Sequence, residues 1–173
     1  MIRIAPHLHR SSTLISNAWL FEDRSGQKFL VDTGHPIERV LLLSQLWKAG
    51  IRARGDLTAV LLTHRHSDHA GNAAWLRKRF GARVICHEED ASVLSGRKIP
   101  PKLCRESGGF LKSLIPGSGQ QKFYERWLCE FEDRSPASCD VDETYTEGSW
   151  KWGFQIVPVP GHTEGSVMLH HAP

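Results

Sequence analysis

The stretch LTAVLLT, Leu57 to Thr63, constrains the fold more than any other part of this chain. A short unbroken apolar run, bounded by Asp56 on one side and polar residues on the other, has the signature of a β-strand buried on both faces. Directly behind it come the histidine-rich HRHSDHAG and then NAAWLRKRFG, where Ala73, Leu76 and Phe80 share one helical face and Gly81 supplies the stop. ARVICH follows as a second strand. Strand, loop, helix and strand in that order predict a parallel pair joined by a crossover helix, and hence an α/β sheet. Ligands of such sheets gather at the C-terminal ends of the strands, the position of the loop from His64 to His69.

The flanking segments extend this pattern. From Ser12 to Asp32, STLISNAWLF and QKFLVD read as two strands of a hairpin that turns near Gly26. After DTGHP, the segment IERVLLLSQLWKAG predicts a helix in which Val40, Leu43 and Trp47, with Leu42 and Leu46 beside them, fall at helical spacing. Pro36 suits its first turn and Gly50 its end. Near the C-terminus, WGFQIVPVPGHTEGSVMLHH reads as a strand from Phe154, a tight turn at Pro160-Gly161 and a strand from Ser166 onward. Between Glu88 and Ser149 the pattern is broken by SGRKIPP, ESGG and IPGSG, and the one clear helix is QQKFYERWLCEFEDR. Its stripe of Phe123, Trp127 and Phe131 is expected to pack this insertion onto the core, with a substrate lid or a dimer contact as the alternative. No internal repeat is visible, so we expect a single domain over residues 1–173 with an insertion at 88–149.

Composition narrows the function. A chain of 173 residues, 40% hydrophobic and 24% charged, is long enough for one domain with a sizeable core. Its formal charge of +3, from 22 basic against 19 acidic residues, argues against a nucleic-acid partner, and Arg77-Lys78-Arg79 reads as a wet helix face. The N-terminus MIRIAPHLHR lacks an apolar signal core, and no run approaches the roughly 18 apolar residues of a membrane span. A cytoplasmic protein without membrane association is expected. Cys86, Cys104, Cys129 and Cys139 form no C-x-x-C pair and suit reduced thiols.

Of the 10 histidines, six stand in two short clusters, His64, His66 and His69 in one and His162, His170 and His171 in the other. Residues two apart, such as His64 and His66, aim the same way from an extended or turning backbone, whereas on a helix they diverge by about 200°. Asp68 and His69 follow where a helix begins. Imidazole with carboxylate is the ligand set of zinc, and also of iron or manganese. A solvated loop rich in histidine is the competing reading for this segment alone. PGHTEGS adds His162 after another strand, in a turn whose glycines let the backbone approach closely. With His64, His66 and His162 on one ion and Asp68 and His69 on another, the chain offers a binuclear site. Such a site generates hydroxide from water near neutral pH and polarises a carbonyl or phosphoryl oxygen, so hydrolysis is the predicted chemistry. Asp68 would bind metal and, as the catalytic carboxylate, orient the attacking hydroxide. Its competing role is that of helix N-cap.

These segments resemble those of a known family. THRHSDHAG resembles the T-H-x-H-x-D-H-x-G signature of the metallo-β-lactamase fold, LVDTG its hydrophobic-D-T-G motif after an N-terminal hairpin, and VPGHTEGS its P-G-H-T-x-G-S turn, all in the family's order. The resemblance spans nearly the whole chain outside the insertion. It implies an α/β fold of the αββα sandwich type and a metal-dependent hydrolase with the glyoxalase II-like kind of site. His64, His66 and His162 would hold the first metal and Asp68 and His69 the second, with two zinc ions in the complete site and Asp32 as an orienting partner. The substrate implied is a small molecule with an ester, thioester, lactone or phosphodiester bond.

The chain also departs from the family's pattern. A metal-bridging aspartate and a final histidine normally follow the P-G-H-T motif, yet no acidic residue lies beyond Glu164 and the sequence ends at Pro173. His170 and His171 read as neighbours on a strand, facing opposite ways, which suits neither as a replacement. The sandwich is therefore expected to lack much of its second half and to expose apolar surface. A longer enzyme from which this is a fragment, a homo-oligomer or completing partner chain, or a degenerate relative without turnover would each explain this. The leading reading is a metallo-hydrolase with activity impaired by truncation. Its rivals are a non-catalytic metal-binding or interaction module derived from that fold, and a nucleic-acid-processing relative.

Overall fold

The computed structural model describes residues 1–12, 15–98, 138–145, 148 and 150–171. Among them, β1 (Ile2–Ala5), β2 (Leu8–Ser12), β3 (Asn17–Glu22), β4 (Lys28–Val31), β5 (Ala59–Leu61), β6 (Arg83–His87) and β7 (Glu143–Tyr145) form one sheet whose spatial order is the chain order. Pairings are antiparallel from β1 to β4 and parallel from β4 to β7. A 3₁₀ turn at Pro36–Glu38 and helix α1 (Arg39–Lys48) lie between β4 and β5, α2 (Ser67–Ala70) and α3 (Ala73–Phe80) between β5 and β6, and α4 (Glu88–Leu94) follows β6. A second, antiparallel sheet has the order β10 (Val167–His171), β9 (Phe154–Pro158), β8 (Trp150–Lys151).

The apolar run that anchors the sequence now has a physical explanation. Successive strand residues point to opposite faces. Val60 and Leu62 enter the core shared with the helices, while Ala59 and Leu61 enter a second core between the two sheets. Phe29 and Leu30 divide in the same manner, as do Val84 and Ile85. Phe21, Tyr145, Phe154, Ile156 and Val167 complete the inter-sheet layer. On the other side, Ala73, Leu76 and Phe80 of α3 are fully buried, as their spacing predicts.

Helix α1 differs from expectation in the face it buries. Leu42 and Leu46 are fully buried and Leu43 packs beside them, whereas Val40 is 80% and Trp47 47% exposed. The segment VLLLSQLW is apolar on nearly every side, so periodicity alone does not select the stripe. Strands β1 and β2 carry no alternating signal either, since every residue of β1 is exposed. At both ends of the 88–149 segment the chain is part of the fold: Ala91 and Leu94 of α4 enter the helix-side core, and β7 continues the sheet. The helix expected at QQKFYERWLCEFEDR, with Phe123, Trp127 and Phe131, lies outside the described residues.

Beyond the edge strand β10 lies an open groove of about 1250 Å³, walled by Trp19, Phe21, Val31, Phe154, Val167 and Leu169 and reaching Asp32 and Thr63. Of its walls, Phe21, Phe154 and Val167 are themselves buried, at 8%, 6% and 4% exposure. Among the described residues no helix is long and apolar enough to cross a membrane. Cys86 and Cys139 are buried free thiols whose burial pushes both pKa values up, while Cys104 and Cys129 lie outside the described residues.

Candidate metal centre

The site grows from the ends of β4 and β5. Asp32, directly after β4, adopts a left-handed backbone conformation with φ of 57°, a region that Asp tolerates better than most residues. There its carboxylate accepts three hydrogen bonds, from Thr63 N and Thr63 Oγ1 at 2.8 Å each and from His69 Nδ1 at 2.8 Å. Thr33 N and Oγ1 both donate to the His69 carbonyl, at 2.6 and 2.7 Å. The Asn72 amide, fully buried, donates to the carbonyls of Thr33, Gly34 and His35 at 2.9–3.1 Å. These bonds sew the DTGH loop to α2.

The same network sets the tautomers. Thr63 has one hydroxyl proton and gives it to Asp32, so its oxygen accepts from His64 Nδ1 at 3.1 Å. His64 Nε2 then carries a lone pair, and this buried atom has no hydrogen-bond partner. His69 likewise donates Nδ1–H to Asp32, which turns its Nε2 toward Asp68 Oδ2, 3.3 Å away. An orphaned buried nitrogen is costly unless something binds it.

Five side chains, His64 among them, form two overlapping donor groups. Donor atoms of His64, His66 and His162 lie within 4.8 Å of one another, and so do those of His64, Asp68 and His69. His64 belongs to both groups, whereas the spacing alone assigns it to one. His66 Nδ1 and His162 Nε2 approach to 2.9 Å. His162 reaches the cluster from the turn between β9 and β10, so the two sheets contribute to one centre. His170 and His171 stay outside both donor groups, and the His171 ring packs on Phe21 and Phe154 with centroids 4.4 and 5.2 Å away.

Protonation matches a cation site. Burial, followed by the repulsion of neighbouring histidine charges, lowers the His64 pKa to about 2. Burial, then His162 and Arg65, lower that of His66 to about 3, and burial lowers His162 as well. Burial would also lower His69, but hydrogen bonds to Asp32 and Asp68 and their charges outweigh it and raise the pKa to about 10. For Asp68 burial acts upward, but the His69 hydrogen bond and the His69 and His64 charges prevail and lower it. Neutral imidazoles, an ionised carboxylate and a position between Asp68 and His69 that already attracts a proton form a donor set that fits a divalent cation. Asp68 is not the cap of α2: the N-cap position is His66, without a side-chain cap bond.

One residue at the centre carries no signal in the sequence. Asp90, in the first turn of α4 and 1% exposed, accepts from Arg65 N at 2.9 Å and Thr163 Oγ1 at 2.8 Å on one oxygen and from Gly165 N at 3.2 Å on the other. Burial pushes its pKa up against these donors. Within HEED it looks like any solvated acid; only Thr163 and Gly165, inside the P-G-H-T-x-G-S turn, hint at a partner.

Comparison with known proteins identifies the family. Residues 12–172 match the family model described as the Metallo-beta-lactamase superfamily. Metallo-beta-lactamase domain-containing protein 1 of Rattus norvegicus is 40% identical over 92 residues, which are 53% of this chain and 33% of that protein. A probable metallo-hydrolase of Bacillus subtilis, YybB, is 34% identical over 88 residues, 49% of this chain and 36% of that one. Among solved structures, native FEZ-1 metallo-beta-lactamase from Legionella gormanii superimposes with a TM-score of 0.69 at 21% identity, covering 96% of this chain and 55% of that one. A Cronobacter sakazakii metallo-beta-lactamase gives 0.70 at 20% identity, with 96% and 55% coverage. The matches thus span about a third of these curated relatives and just over half of these solved chains. On the family match across most of its length, and on the sandwich of sheets and helices just described, this chain belongs to the metallo-beta-lactamase superfamily.

Proposed function

We propose that this chain carries the metal-binding half of a metallo-hydrolase, with His64, His66 and His162 on a first zinc ion and Asp68 and His69 on a second. One observation carries the reading: His64, the residue shared by two donor groups, has a buried Nε2 that is unpartnered and left unprotonated when Nδ1 donates to Thr63. Iron or manganese suits the same imidazole and carboxylate donors. Bound ions of this kind act as Lewis acids and bring the pKa of a water toward neutrality.

The protein's own residues do the rest. Thr63 holds His64 in the tautomer that binds, and Asp32 does the same for His69 while raising its basicity. Asp68, ionised and 26% exposed at its side chain, faces the centre and serves as hydrogen-bond acceptor that orients an attacking water. The apolar groove reaching Asp32 and Thr63 supports a small-molecule substrate with an ester, thioester, lactone or phosphodiester bond. A hydrolysis panel over those four bond types tests the reading: turnover of at least one should fall 10³-fold or more in His64→Ala. A panel without turnover in metal-loaded, folded protein favours the non-catalytic metal-binding module instead.

A further inference from the structure

We propose that Asp90 is a positioning residue for the metal centre, a buried carboxylate clamp that fixes the loop after β5 against the turn after β9 so that His162 meets His64 and His66. This rests on the metal reading above. His64 and His66 flank Arg65, and His162 directly precedes Thr163. Asp90 Oδ2 accepts from both intervening points, Arg65 N and Thr163 Oγ1, and so couples two histidine loops from different sheets through a single oxygen. Its other oxygen takes Gly165 N.

The surroundings are built for that carboxylate. A Cβ on Gly165 would stand 2.7 Å from Asp90 Cγ and 2.8 Å from its backbone nitrogen, so only glycine admits the group at this distance. Ser166 Oγ lies 2.8 Å from Thr163 Oγ1 and accepts from Thr163 N at 3.0 Å. With the Thr163 proton committed to Asp90, the Ser166 hydroxyl donates to Thr163, and every hydrogen in this chain of bonds has one destination. At the surface Lys98 adds a second tie, bridging Glu89 of α4 to Glu164 of the turn at 3.0 and 3.1 Å. None of these groups belongs to the donor sets, so their effect on a cation acts through the histidines.

Asparagine at position 90 keeps the shape but offers one acceptor oxygen and turns an N–H toward a backbone or hydroxyl donor. Titration with Co(II), followed by its visible absorption, reads both affinity and ligand geometry. In Asp90→Asn, with far-UV circular dichroism unchanged in chelator, the clamp requires Co(II) affinity to fall about 10–100-fold and the visible bands to shift. Thr163→Val should move both in the same direction, and Thr163→Ser should restore them. Equal affinity and an identical spectrum in folded Asp90→Asn would overturn the clamp alone. Should Asp90→Asn fail to fold, the Thr163→Val and Thr163→Ser pair decides by the same readouts, with a wild-type-like spectrum in Thr163→Val overturning it. A wild-type chain that gives no Co(II) spectrum would overturn this proposal together with the metal reading.

Discussion

Asp32 joins the local chemistry of the site to its protonation. Its carboxylate receives both donors of Thr63 and the Nδ1–H of His69, in a left-handed backbone conformation that asparagine also accepts. Asp32→Asn therefore removes charge with little change of backbone. We expect the His69 pKa to drop from about 10 toward its ordinary 6.5, measured by histidine NMR, and divalent-metal affinity to fall about 10–100-fold. The histidine cluster makes a second expectation for the metal-free chain. His64, His66 and His162 are depressed in the folded state, so below about pH 6.5 the unfolded chain binds more protons and stability falls as pH drops. His69 is raised, so its contribution is present below 6.5 and is lost as pH rises toward 10. Urea midpoints in chelator should thus peak near pH 6.5 and decline on both sides; a midpoint still rising steadily from pH 7 to 10 would contradict this. At this scale the clustering of the histidines was legible because their spacing expresses a backbone path, His64 and His66 in the loop and His162 behind another strand. Asp90 and Asn72 were not, because a buried polar residue that bonds to a distant backbone leaves no periodic trace.

Elements whose two sides face different neighbours were read correctly. The run around β5 is apolar on both sides because one side meets helices and the other meets the second sheet. Helix α3 has one apolar stripe and three consecutive basic residues on its other side, and its buried face matches the spacing. Helix α1 shows where such reading stops, since its apolar residues run almost round the helix and only packing selects Leu42 and Leu46. Leu46→Ala should cost about 2–5 kcal/mol, while Val40→Ala should stay within about 0.5 kcal/mol, both from urea unfolding. Equal losses would place the buried face elsewhere. Strands β1, β7 and β8 escaped notice for a different reason: short edge or near-edge strands are held by backbone pairing to neighbours, and few of their side chains need to be apolar.

Across the whole molecule, the fold brings two sheets and a layer of helices together so that the ends of β5 and β9 deliver histidines to one point. The layers are unequal, with an apolar groove beyond β10 whose walls continue to Asp32 and Thr63 at the edge of the centre. The order of motifs along the chain was sufficient to anticipate this sandwich. The groove's lining and the sharing of His64 between two donor groups depend on three-dimensional packing that no local pattern encodes. Metal content of the purified, folded chain tests the central claim most directly. Elemental analysis after zinc loading and desalting should find at least one ion per chain in the wild type and a loss of at least half of it in His64→Ala. Less than one ion of zinc, iron or manganese per folded chain, or a content unchanged by His64→Ala, would contradict it.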